Sequence, residues 1–169
     1  MRNIKTLKLV QSALLAALCL LLTRVVTIPA PTGYVNLGDC AVLLSAWILG
    51  PIWGGMAAGV GTMLADVLSG YVSYAPATFL IKFAMAVIAA LIFRTLEQRQ
   101  RLAAHIVGAV SAEVLMIAGY YIFESVCLGV GAAATASVPA NVVQGVVGAV
   151  SGVLVIGALS KFDFVRQHR

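Results

Sequence analysis

Residues 94–101 read RTLEQRQR, a short charged island between two long apolar runs. On either side, residues 77–93 and 102–112 contain no acid. Working outward, the chain opens with Arg2, Lys5 and Lys8 and closes with Lys161, Arg166 and Arg169. Of its eleven Lys and Arg residues, only Arg24 and Lys82 fall outside these three clusters. Cytoplasmic loops of membrane proteins collect Lys and Arg, so all three clusters are expected on one side. Two clusters on the same side require an even number of crossings between them.

Composition supports a membrane setting. The chain is 62% hydrophobic and 10% charged, with mean hydropathy +1.03, far from the soluble range. The net charge of +5 then reads as orientation, because no aromatic or Arg-rich groove pattern for nucleic acid accompanies it. Cys19, Cys40 and Cys127 are isolated, without C-x-x-C or His/Cys spacing, which argues against a metal site or disulfide framework. The stretch 27–30 is a poor signal-peptidase site, so the first apolar run is read as a retained helix.

A span needs roughly 20 apolar residues. The expected helices cover about 8–27, 37–50, 52–70, 77–94, 102–128 and 139–161, with Pro29, Pro31 and Gly50-Pro51 as breaks. The fold expected is an all-α integral membrane protein with six transmembrane helices, both termini cytoplasmic, in one membrane domain, 1–169. A re-entrant pair formed by the short second helix and the third satisfies the charge rule equally, but it must be shielded from lipid. Gly55, Gly59, Thr62 and Asp66 share a face of helix 3, and Ala13 and Ala17 share one on helix 1. Such small-xxx-small faces serve either internal packing or docking of another membrane subunit.

Polar residues concentrate at one depth. Asp39, Asp66, Lys82, Glu124, Asn141 and Gln144 come from five helices and lie towards the outer ends, with Asn36 and Tyr34, Tyr71, Tyr74, Tyr120 and Tyr121 around them. Glu113 sits nearer mid-depth. Ionisable groups in a membrane normally face the bundle interior or water. A cavity open to the outside fits a small polar ligand with an aromatic ring. Other readings stand beside this one: Asp39 as a helix N-terminal acid, Asp66 and Lys82 as an ion pair, Tyr71 and Tyr74 as interfacial aromatics, Arg24 snorkelling to headgroups. Glu124, Asn141 and Gln144 have no simpler duty. The sequence has no G-x-x-x-x-G-K-[ST], H-E-x-x-H or G-x-S-x-G, so neither ATP hydrolysis nor enzyme chemistry is expected of it, and no cofactor.

The segments NLGD (36–39), ADVLSGY (65–71), YAPATFLIK (74–82) and PANVVQG (139–145) resemble the substrate-binding S component of energy-coupling factor (ECF) vitamin transporters. The resemblance implies a subunit of a bacterial or archaeal cell membrane that captures a vitamin or precursor from outside. It would associate with a transmembrane coupling subunit and two cytoplasmic ATPases, and reorient to release its ligand. It also implies partner docking through Ala13 and Ala17, ligand contacts from Lys82, Tyr120, Glu124, Asn141 and Gln144, and a lid contact from Asn36. The NLGD segment and Lys82 look most like members handling hydroxymethylpyrimidine or pyridoxine-type compounds, with pantothenate or another small anion as an alternative. A stand-alone small-solute transporter and a structural subunit without a ligand remain the competing classes.

Overall fold

The computed structural model describes residues 4–25, 27–30 and 33–160. Among them are six α-helices: α1 (Ile4–Val25), α2 (Gly38–Leu49), α3 (Pro51–Leu68), α4 (Ala75–Leu96), α5 (Arg101–Ile122) and α6 (Val138–Leu159). The expected end of helix 6 at residue 161, the C-terminal basic cluster and Arg2 lie outside the described residues. The continuous helical stretches Lys5–Val25, Ala75–Leu96, Arg101–Cys127 and Gly131–Leu159 are long and apolar enough to cross a membrane. With 12 and 18 residues, α2 and α3 reach about 18 and 27 Å. Six helices are therefore present, four of them with the length and composition of full spans.

Burial explains how so short a helix as α2 is used. Every residue from Gly38 to Trp47 is buried, and α2 packs on α1, α3, α4 and α6. A helix enclosed on all sides needs no polar stripe. It turns into α3 at Gly50, whose φ of 80° is left-handed, and Pro51 then opens α3 with its preset φ. Lys8, Gly50, Arg94 and Glu97 border one cleft of about 220 Å³. The first and second basic clusters thus meet at the same end of the bundle, as the charge pattern requires.

At the opposite end the chain is more ordered than an irregular loop. Helix 1, expected to reach residue 27 before the break at Pro29 and Pro31, ends at Val25, and the chain beyond it forms an antiparallel hairpin of β1 (Thr27–Ala30) and β2 (Gly33–Asn36), with Thr27 opposite Asn36 and Ile28 opposite Val35. Pro29 is tolerated because a two-stranded ribbon leaves each strand an open edge. Helix 5, expected to run to 128, keeps α geometry only to Ile122 and continues as a π-helical turn, Phe123–Cys127. The Gly/Ala-rich segment before α6 winds into a 3₁₀ helix, Gly131–Ser137.

Glycines on α3 set the helix spacing. A Cβ on Gly55 would lie 2.8 Å from the Phe83 ring, one on Gly59 2.8 Å from Phe79, and one on Gly61 2.2 Å from the Ala16 carbonyl oxygen. Gly55 and Gly59 are thus spent on packing within the bundle. Ala13 and Ala17, by contrast, are exposed on α1. Replacing Gly61 by Ala forces α1 and α3 apart, and we expect a loss of about 1–3 kcal/mol. The measurement is thermal unfolding in detergent, with Gly157→Ala as the neutral control because nothing lies within 4 Å of a Cβ there.

Candidate ligand site

The hairpin, the neighbouring ends of α3 to α6 and the two irregular turns line a cavity of about 50 Å³. Tyr34 and Asn36 come from β2, Asp66 from α3, Tyr71 from the α3–α4 connection, and Tyr74 and Thr78 from the start of α4. Tyr120 ends α5, Glu124 sits in the π turn, Ser137 ends the 3₁₀ helix, and Ala140, Asn141 and Gln144 lie in the first turns of α6. Local sequence explains these placements. Pro76 and Pro139 start α4 and α6 close to the cavity, and the π turn inserts Glu124 where a regular helix would aim it elsewhere.

Two carboxylates define the polarity of the cavity. Glu124 is 2% exposed, and its oxygens accept from the Tyr74 hydroxyl at 3.3 Å and from the Ser137 hydroxyl. Asp66 accepts from the Tyr34 hydroxyl at 2.7 Å. Burial, reinforced by the Asp66 charge, pushes the Tyr34 phenol above its ordinary range, so it stays a donor. Thr78 and Tyr120 share a hydrogen bond of 3.1 Å. An aromatic wall runs from Tyr34 through Tyr71 and Tyr74 to Phe123, with successive ring centroids 5.1, 6.1 and 5.3 Å apart. No Lys, Arg or His is found among the described residues lining the cavity.

Of the six residues expected to touch ligand, Asn36, Tyr120, Glu124, Asn141 and Gln144 line this cavity, and Lys82 does not. Lys82 lies beneath it, ion-paired with Asp39, and its ammonium is 5.5 Å from the centroid of the Tyr120 ring. The alternative pairing of Lys82 with Asp66 is replaced by this one. Asp39, fully buried, is an acid in the first turn of α2 as expected, and it is also the ion-pair partner of Lys82. Its second oxygen accepts from Gln144 Nε2 at 2.7 Å. Arg24 is likewise more than a snorkelling cation: it donates to the Leu68 carbonyl at 2.8 Å and to Ser69 Oγ at 2.9 Å, capping the end of α3. Glu113 is buried outside the cavity against Gly145 and Gly148.

Sequence reasoning missed Thr78 and Ser137 as lining residues, and it treated Asp66, Tyr71 and Tyr74 mainly as structural or interfacial groups. Thr78 was legible in principle, one turn before Lys82 on the same helix. Nothing in the local sequence marks Ser137 as a partner for Glu124.

Comparison with known proteins agrees with this architecture. A family model described as "ECF-type riboflavin transporter, S component" matches residues 3–161. A Pyrococcus woesei protein named "Uncharacterized protein in gap 3'region" is 37% identical over 134 residues, covering 79% of this chain and 84% of that one. A solved structure described as the S component of a bacterial ECF transporter has the same fold, with a TM-score of 0.74 at 21% identity over 94% of this chain and 98% of that one. The chain belongs to the ECF-type riboflavin transporter S-component family. It is a multi-pass membrane protein and the substrate-binding subunit of a transporter, a class distinct from enzymes.

The Asp39–Lys82 pair generates a prediction. Lys82→Met leaves a buried carboxylate without its cation and is expected to cost about 3–5 kcal/mol. The double variant Lys82→Met/Asp39→Leu recovers most of that loss. Thermal unfolding in detergent measures both; equal destabilisation of the single and double variants would contradict the pairing.

Proposed function

We propose that this chain captures an uncharged or cationic, donor-rich single-ring heteroaromatic vitamin or precursor, of the pyrimidine or pyridine type, for an ECF transporter. The observation carrying this reading is a tyrosine-walled cavity with two carboxylates and no cation among the described lining residues. Asp66 and Glu124 suit ring amines, hydroxyls or a protonated ring nitrogen, and tyrosine faces suit the ring itself. The same polarity disfavours pantothenate and other anions, which would meet two carboxylates and no cation among the described lining residues. A water needs roughly 10–15 Å³ of such space, so the cavity of about 50 Å³ holds only a few waters or one small ring.

The reading extends to topology. The cavity end faces outside and the end bearing Lys8, Arg94, Arg99 and Arg101 faces the cytoplasm, in keeping with the positive-inside rule. The chain crosses six times in the cytoplasmic membrane, with α2 shielded from lipid by its neighbours, and both termini lie inside. Its partners are a transmembrane coupling subunit and two ATPases, and it reorients when coupled to them. The exposure of Ala13 and Ala17, flanked by exposed Leu9, Val10, Leu14 and Leu21, supports α1 as the docking face.

Calorimetric titration of the purified chain with hydroxymethylpyrimidine, pyridoxine, riboflavin and pantothenate tests the ligand class. Binding of one of the first two is expected, weakened on the order of tenfold to a hundredfold by Glu124→Gln. Binding of riboflavin or pantothenate alone would overturn it. For docking, Ala13→Leu/Ala17→Leu should retain ligand binding while uptake in cells carrying the coupling module is lost. Uptake unaffected by this pair would favour a transporter working without partners.

A further inference from the structure

Asn36 and Gln144 line the cavity, yet most of their polar capacity is already committed to each other and to the bundle. The Asn36 backbone N–H and side-chain Nδ2 both donate to Gln144 Oε1, at 3.1 and 3.2 Å. Asn36 Oδ1 accepts from the Gly38 N–H at 2.8 Å. Gln144 Nε2 donates to Asp39, whose other carboxylate oxygen accepts from Lys82. A single hydrogen-bonded chain therefore runs from the hairpin through α6 and α2 to α4. Close helix contact brings it together: a Cβ on Gly148, one turn beyond Gln144, would lie 2.6 Å from Asp39 Cβ.

We infer that Gln144 and Asn36 are lid-positioning residues, and that the buried Asp39–Lys82 pair helps hold the hairpin closed through Gln144. Opening the hairpin removes both donors from the Oε1 of Gln144, a residue only 3% exposed. Lys82 orients Asp39, Asp39 orients the Gln144 amide by accepting from its Nε2, and that orientation leaves Oε1 facing Asn36. Lys82 thereby acts on the lid across two intervening side chains, without contacting either the hairpin or the cavity. This inference rests on the reading of the cavity as the ligand site. Its test uses no ligand, so a failure to find a vitamin and a failure of the latch remain distinguishable.

The test is amide hydrogen exchange of the ligand-free full chain in detergent, read locally at residues 27–36 and globally in the core of α4. Asn36→Ala should raise hairpin exchange by about tenfold, as expected for losing hydrogen bonds of this kind. Lys82→Met should also raise hairpin exchange, Lys82→Arg should restore it, and Gln144→Leu/Lys82→Met should exceed Gln144→Leu, which removes the acceptor of both Asn36 donors, little or not at all. Gly148→Ala, which displaces Asp39 while keeping every charge, should reproduce the local effect if Lys82→Met does not fold. A hairpin unaffected by Lys82→Met and Gly148→Ala while the core exchanges faster, or a double variant equal to the product of the singles, overturns the inference.

Discussion

Taking an ammonium and a carboxylate out of water costs several kcal/mol per ion, and only close pairing with further hydrogen bonds offsets it. In this bundle the requirement ties helices together. Lys82 comes from α4, Asp39 from α2, and the carboxylate's remaining oxygen is satisfied by Gln144 from α6. The three helices must therefore agree in depth and rotation at one point. The constraint also makes sense of α2, whose polar first turn is satisfied by neighbouring helices and so needs no headgroup or water. A helix of 12 residues can then sit wholly inside the protein, with lipid-facing duties left to longer neighbours.

The character of the cavity follows from where that lysine is spent. Tyr120 stands between Lys82 and the space above it, with the ammonium 5.5 Å from its ring centroid. The only cation from α4 near this end is thus neutralised by Asp39 and turned towards an aromatic face. What remains for the cavity is the chemistry of Asp66, Glu124 and the tyrosines. The carboxylates accept hydrogen bonds from the neutral hydroxyls of Tyr34, Tyr74 and Ser137. A ligand donating hydrogen bonds or carrying positive charge complements such a site, and an anion does not.

Much of this was legible in the sequence, for identifiable reasons. Basic clusters and apolar runs are strong signals because lipid enforces them, and they gave the helix order and the common end for Lys8 and Arg94. The depth of Asn36, Tyr120, Glu124, Asn141 and Gln144 followed from counting residues along helices. Pairing was harder. Asp66 and Asp39 are both acids within reach of Lys82 by depth, and only the rotation of α2 and α3 decides between them. The hairpin was hidden because two prolines dominate 29–31 and read as a break. The π turn at Phe123–Cys127 was hidden because it depends on packing, with no residue type that announces it.

Small residues show most clearly why pattern alone does not assign a role. Gly55 and Gly59 on α3 and Ala13 and Ala17 on α1 have the same spacing of four. The glycines meet Phe83 and Phe79, where even a methyl group intrudes, so their smallness is consumed inside the bundle. The alanines stand exposed, surrounded by exposed Leu9, Val10 and Leu14. Meanwhile Ala16, between them in sequence, carries the contact between α1 and Gly61. The inner face of α1 is thus already occupied by α3, and the Ala13–Ala17 face is turned away from it. In a membrane, where packing drives association in place of the hydrophobic effect, a smooth outward face is the one on which another helix can approach closely. The same spacing therefore builds the bundle on α3 and lies on the open surface of α1.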